Sequence, residues 1–152
     1  MSETKQTTTF KVKRAPIIET EITVPGDKSI SHRAVMIASL SNGPCVITNF
    51  LAGEDCLSSM AAMEQLGVKI ERQDDQVVVH GTQGQFKKPS GDIYCGNSGT
   101  TMRLLSGILA AQSFSSRLTG DPSLSKRPMG RVVEPLEKMG AKLRTSGEKG
   151  CP

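Results

Sequence analysis

Hydrophobic and polar positions along this chain alternate between two periods. Runs with period two read as strands at 10–13, 17–24, 45–50, 68–72, 77–80, 92–95 and 141–144. Runs with apolar residues three and four apart read as helices at 32–40, 55–66 and 128–139. A further helix follows Gly96 through the apolar stretch 104–111. In the helix over 55–66, Leu57, Met60 and Ala61 share a face with Leu66 near the end, and Met60 and Met63 read as core gap-fillers. Gly67 is suited to the residue that lets the chain leave that helix. Asp74-Asp75, between two alternating runs, marks a hairpin. In 128–139, Met129, Val132, Val133 and Leu136 form a stripe, and Pro128 suits a first helical position. Pro135 does not suit a helix interior, so a kink or a later start is expected there.

The elements recur in order. Arg33 and Arg103 are 70 residues apart, Thr48 and Thr119 are 71 apart, and Gly67 and Gly140 are 73 apart. The surrounding words match too: Met63-Glu64-Gln65-Leu66-Gly67 answers Leu136-Glu137-Lys138-Met139-Gly140. Such ordered landmarks make an internal repeat. The expected fold class is therefore α/β, built from repeated β-α-β-α-β-β units. Residues 1–16 read as a disordered or peripheral lead-in, 17–84 as the first unit, 81–91 as its linker, and 91–152 as the second unit. The counterpart of strand 77–80 falls at 150–153, so the second unit is expected to lack its last strand and the chain to be the N-terminal part of a longer protein.

Composition narrows the class. A chain of 152 residues can bury a real core, and its net charge of +4 is spread without any block of like charge. With aromatics at only 3%, stacking platforms for single-stranded nucleic acid are not expected. Neither a nucleic-acid partner nor a membrane is expected. Cys45, Cys56, Cys95 and Cys151 lack metal-ligand spacing, and His32 and His80 are far apart, so no zinc site is expected. Scattered cysteines and the lack of a long apolar run fit a cytoplasmic setting.

The basic charge sits in turns. Pro25-Gly26-Asp27-Lys28-Ser29-Ile30-Ser31-His32-Arg33 joins a strand-like run to a helix, and so does Gly96-Asn97-Ser98-Gly99-Thr100-Thr101-Met102-Arg103. Taken alone, the first turn reads as a capped helix with solvated cations. Its repetition favours an anion site, because free N–H groups and the dipole at a helix N-terminus attract negative charge. A third stretch, Gly120 to Arg131, carries Lys126, Arg127 and Arg131. On a common rim, Lys28, Arg33, Arg103, Lys126, Arg127 and Arg131, with Ser29, Asn97, Ser98 and Thr100 between them, would suit ligands with several phosphates or carboxylates. No Ser-His-Asp set, carboxylate dyad or metal cluster stands out.

These three motifs, in this order, closely resemble the 5-enolpyruvylshikimate-3-phosphate synthase family, and the Gly-Asp-Lys-Ser and Arg-Pro-Met-Gly-Arg-Val wording resembles its class II form. The resemblance runs from about residue 18 to the end. It implies the enolpyruvyl transferase fold, an inverse α-β barrel-like arrangement, here truncated. It implies transfer of the enolpyruvyl group of phosphoenolpyruvate to the 5-hydroxyl of shikimate 3-phosphate, through a tetrahedral intermediate, with release of phosphate. Lys28 is then expected to contact both substrates, Ser29 and Arg33 to hold shikimate 3-phosphate, Arg127 to bind phosphoenolpyruvate, and Gly99 to line its pocket, with Asn97 and Thr100 beside them. No metal or organic cofactor is implied. The acid/base groups are expected in the part not present, so this chain alone is expected to be inactive unless a complementary C-terminal chain completes it. Gly99 stands where glyphosate-tolerant class II enzymes have alanine, which implies inhibition by glyphosate. Leu104 replaces the proline of many class I members, which points to partial sensitivity. The related UDP-N-acetylglucosamine enolpyruvyl transferase has Lys-Asn where this chain has Lys28-Ser29 and carries a reactive loop cysteine not evident here. A non-catalytic, phosphate-ligand-binding fragment is the other alternative.

Overall fold

The computed structural model describes residues 9–17 and 19–146. In chain order the elements are α1 (Lys28–Ser39), β1 (Pro44–Ile47), α2 (Glu54–Gln65), β2 (Lys69–Gln73), β3 (Gln76–His80), β4 (Ile93–Tyr94), α3 (Gly99–Ala110), β5 (Leu118–Thr119), a 3₁₀ turn (Leu124–Lys126) and α4 (Gly130–Lys138). The start of α1 is set by Asp27, whose carboxylate accepts the Ile30 N–H at 2.7 Å. The helix thus begins four residues before the start expected at 32, because the cap decides where the backbone turns helical. Ser98 caps α3 in the same way, accepting the Thr101 N–H at 3.1 Å.

The two repeat landmarks Gly67 and Gly140 end α2 and α4 by one mechanism. Gly67 has φ +86° and Gly140 φ +96°. Gly67 N–H bonds Glu64 C=O and Val68 N–H bonds Met63 C=O. Gly140 N–H bonds Glu137 C=O and Ala141 N–H bonds Leu136 C=O. Both are Schellman caps, which need a left-handed residue at that one position.

Strand β3 lies between β1 and β2, antiparallel to each. The β2–β3 hairpin closes at Gln73↔Gln76 around Asp74, whose φ is +52°. Strands β4 and β5 pair in parallel, with α3 as the crossover between them. One continuous core joins Val35 and Met36 of α1, Met60 and Met63 of α2, Val77 and Val79 of β3, Ile93 of β4 and Leu105 of α3. Residues 81–91 carry no helix or strand, yet Phe86 is buried in that core and Lys87 N–H bonds Leu66 C=O at 2.8 Å. A smaller cluster joins Cys95, Met102, Leu124 and Met129.

Several expected elements take other forms. No strand forms at 10–13 or 21–24, and Phe10, Val12, Ile17, Ile22 and Val24 are all exposed. Alternation favours a strand only where a neighbour completes the ladder, and these stretches have none among the described residues. The same holds for 141–144, although half-buried Ala141 and Leu143 still alternate with exposed Lys142 and Arg144. The lead-in 1–8 and the position expected for a closing strand lie outside the described residues. Strand β1 stops at Ile47 instead of running to 50, because Asn49 turns at φ +53° and Phe50 N–H bonds Asp75 C=O. In α2 the buried side is Cys56, Ser59, Met60, Ala62 and Met63, and Ala61 faces out. Helix α4 begins at Gly130, so Pro128 precedes the cap and Pro135 falls on the sixth residue. The later start replaces the expected one at 128. Among the described residues no helix is long and apolar enough to cross a membrane.

Candidate anion-binding site

The first turns of α1, α2 and α3 meet. Lys28, the first residue of α1, pairs its Nζ with Asp55 Oδ2 in the first turn of α2. Thr101, in the first turn of α3, donates its hydroxyl to the Asp55 carbonyl at 3.2 Å. Ser58 Oγ lies 3.0 Å from where a Cβ on Gly96 would stand, so the turn before α3 rests on α2. Behind this rim Ser31 Oγ accepts the Leu51 N–H at 3.0 Å and fixes the segment leading into α2.

The second half of the site gathers around Gly99. A Cβ there would stand 2.7 Å from Arg103 Nη1 and 3.2 Å from Arg127 Nη1. Both guanidinium groups therefore reach one point beside the first residue of α3, and their Nη1 atoms are no more than about 6 Å apart. At that separation two unit charges repel by roughly 1 to 3 kcal/mol for effective dielectric constants of about 80 to 20. Arg103 Nη2 donates to Pro128 C=O at 3.4 Å, while its buried Nε has no partner. Arg127 Nη2 donates to Asn97 Oδ1. Asn97 Nδ2 in turn donates to Asp121 Oδ2 at 2.6 Å, and Asp121 Oδ1 accepts the Leu124 N–H at 2.6 Å. The Asn97 bond first, then that backbone N–H, holds the Asp121 carboxyl below its usual pKa. Asp121 is thus an ionised anchor that orients Asn97, and Asn97 orients Arg127.

The arrangement lacks one partner. It offers converging cations and a helix N-terminus, and each of these favours an anion. A phosphate or carboxylate between Arg103 Nη1 and Arg127 Nη1 would relieve the repulsion. Among the described residues no group of three or more His, Cys, Asp and Glu side chains is placed to hold a metal ion.

Of the expected site residues, Asn97, Gly99 and Arg127 come together, with Arg103 beside them. Lys28 joins through Asp55 and Thr101, and Thr100 lies half-buried in the first turn of α3. Ser29 and Arg33 instead meet each other on exposed α1, where Arg33 Nη1 donates to Ser29 C=O at 3.1 Å. Lys126 and Arg131 are exposed. Sequence reasoning did not single out Asp55 or Asp121. Asp55 follows Gly53-Glu54 and reads as an ordinary acidic first turn, while Asp121 reads as a turn residue before Pro122. Only the fold shows that each faces a basic motif from another element.

Comparisons with known proteins converge. Residues 12–152 match the family model described as EPSP synthase (3-phosphoshikimate 1-carboxyvinyltransferase). A 3-phosphoshikimate 1-carboxyvinyltransferase of Ruthia magnifica subsp. Calyptogena magnifica is 52% identical over 141 residues, covering 92% of this chain and 32% of the relative. One from Legionella pneumophila (strain Corby) is 51% identical over 143 residues, covering 92% and 33%. The solved EPSP synthase from Acinetobacter baumannii superposes with a TM-score of 0.83 at 51% identity, covering 86% of this chain and 30% of that one. The chain spans about a third of the length of the curated relatives it matches.

Proposed function

We propose, because this chain belongs to the EPSP synthase family and has its α/β enolpyruvyl transferase fold, that it supplies one wall of an active site for enolpyruvyl transfer from phosphoenolpyruvate to the 5-hydroxyl of shikimate 3-phosphate, in the cytoplasm. The observation that carries the reading is the convergence of Arg103 Nη1 and Arg127 Nη1 beside Gly99, the first residue of α3. That geometry fits the anionic groups of phosphoenolpyruvate. Lys28, Ser29 and Arg33 at the start of α1 fit the phosphate of shikimate 3-phosphate, and Lys28, linked to α3 through Asp55 and Thr101, fits both ligands. Asn97 and Thr100 complete the pocket wall.

The chain's contribution is binding and orientation. In the reaction the 5-hydroxyl gives up its proton and its oxygen bonds C2 of phosphoenolpyruvate as C3 gains a proton; the C2–O bond to phosphate then breaks as C3 loses a proton, and the departing phosphate takes up a proton in place of the one the hydroxyl lost. Fixed cations hold the two anions in reacting geometry and stabilise charge on the departing phosphate. Asp55 pairs with Lys28, Asp121 holds Asn97 and the Leu124 N–H, and His32 is buried in the interior. Proton transfer is assigned to groups in the part of the relatives' length that this chain does not span.

The test is a chimera in which residues 12–152 replace the matching third of the Acinetobacter baumannii enzyme. It is expected to release phosphate from phosphoenolpyruvate only when shikimate 3-phosphate is present, and Arg127→Ala is expected to lower that rate at least tenfold. A folded chimera that releases no phosphate, or one indifferent to Arg127→Ala, contradicts the proposal.

A further inference from the structure

Beneath the anion site runs a buried polar chain that none of the proposed ligand contacts requires. His32 Nδ1 bonds Ser59 Oγ at 2.6 Å, Ser59 Oγ bonds Thr101 Oγ1 at 2.8 Å, and Thr101 Oγ1 bonds Ser98 Oγ at 2.7 Å. His32 is 1% exposed, and Ser59, Ser98 and Thr101 are fully buried. The chain joins α1, α2 and α3 side chain to side chain. Two members sit one turn below a site residue: His32 is four residues after Lys28 and Ser59 is four after Asp55, while Ser98 and Thr101 belong to the cap and first turn of α3. Residues four apart stack on one helix face, so the chain lies one turn below the rim on α1 and α2.

We propose that Ser59 and Thr101 are positioning residues that fix the spacing between the Lys28 turn and the Asn97-Ser98-Gly99 turn, so that two anions are held as one geometry. This rests on the functional reading above. What the polar chain adds is stiffness. Helices packed only through apolar side chains can slide with small cost, whereas short buried hydrogen bonds fail steeply with distance and angle. A polar chain costs desolvation that an apolar pair of similar volume avoids, so its place under the site has a positional consequence that core packing does not need. Thr101 is the junction. Its hydroxyl also bonds the Asp55 carbonyl, and its N–H bonds the Ser98 cap. Losing that one hydroxyl breaks the side-chain hydrogen-bond link from α3 to α2 and, through Ser59, to α1.

The experiment compares Thr101→Val, which keeps the shape and removes the hydroxyl, with Thr101→Ser, which keeps the hydroxyl, in the 152-residue chain. The first readout is the backbone amide spectrum without ligand. In Thr101→Val the Lys28, Ser29 and Ile30 resonances on α1 are expected to shift, and in Thr101→Ser to return to the wild-type positions. Shifts confined to α3, or a Ser variant that behaves like Val, overturn the proposal. The second readout is titration with shikimate 3-phosphate, where Thr101→Val is expected to bind about fivefold more weakly, the worth of one hydrogen bond, and Thr101→Ser within about twofold of wild type. Equal affinity for Val and wild type also overturns it. Should Thr101→Val not fold, Ser59→Ala gives the same two readouts from α2. A wild-type chain that binds no shikimate 3-phosphate counts against the functional reading, while the ligand-free spectra still decide whether the chain sets the spacing of the turns.

Discussion

Replacing Gly99 by alanine tests the site with a single methyl group. The new Cβ would stand 2.7 Å from Arg103 Nη1, 3.6 Å from Arg103 Cζ and 3.2 Å from Arg127 Nη1. Comfortable contact begins near 3.4 Å, so Arg103 must retreat by about 0.7 Å and Arg127 by a few tenths. Both atoms are at the ends of flexible side chains, so the backbone is not forced to move. Ser98 caps the helix and Gly99 is its first residue, where alanine gains roughly 0.4 to 1 kcal/mol over glycine from the unfolded state. Folding stability is therefore expected to stay within about 1 kcal/mol of wild type. Ligand binding behaves differently. Moving one guanidinium from about 2.8 to about 3.5 Å from an anion loses roughly 1 kcal/mol at an effective dielectric of about 20, close to a factor of five to ten. The assay is calorimetric titration of the chain with phosphoenolpyruvate in the presence of shikimate 3-phosphate, alongside urea unfolding. Unchanged affinity with an intact fold would show that Arg103 and Arg127 do not converge on the ligand. A stability loss above about 2 kcal/mol would show that Gly99 is needed by the backbone and not by the guanidinium groups.

The paired caps make a comparison within one molecule. Gly140→Ala meets no atom within 4 Å and should cost only the left-handed backbone penalty, about 1 kcal/mol by urea unfolding, whereas Gly67→Ala also strikes Lys87 Cδ at 2.7 Å and should cost more; equal costs would refute the assignment of Lys87 as the obstacle. Burial lowers the His32 pKa, Lys28 and Arg33 add to that, and Asp55 opposes it. The unfolded chain takes up this proton as pH falls below about 6.5 while the folded chain does not, so stability falls from there toward acid; urea midpoints that stay flat between pH 7.5 and 5.5 would contradict this. Asp121→Ala removes the acceptor that orients Asn97 and should weaken phosphoenolpyruvate binding several-fold while leaving α1 resonances in place; wild-type affinity in that variant would sever Asp121 from the site.

The parts of the fold legible in the sequence are those set by local chemistry. A capped first turn at Asp27, Gly67 as a helix end and Asp74-Asp75 as a hairpin act through neighbours a few residues away, and the 73-residue spacing of Gly67 and Gly140 is one of the landmarks that point to a repeat. The strands expected at 10–13, 21–24 and 141–144 carry the right alternation, but a strand also needs a partner, and partnership is not encoded within the strand itself. The site divides the same way. Lys28, Asn97, Gly99 and Arg127 announce themselves as basic or Gly-containing turns at helix starts. Asp55, Ser59, Thr101 and Asp121 do not, because each is an ordinary helix or turn residue until the fold brings α1, α2 and α3 to one rim. Ser29 and Arg33 show the converse: they share the motif with Lys28, yet face each other on exposed α1 and not the Arg103–Arg127 cluster.

The measurement that bears most directly on the whole account is an amide-resonance map of the chain titrated with shikimate 3-phosphate and then with phosphoenolpyruvate. Shikimate 3-phosphate is expected to move Lys28, Ser29 and Arg33 first, and phosphoenolpyruvate then to move Asn97, Gly99, Thr100 and Arg127. Saturable shifts confined to other faces, or no shifts at millimolar ligand, would contradict the assignment of the three helix N-termini as a wall of the transferase site.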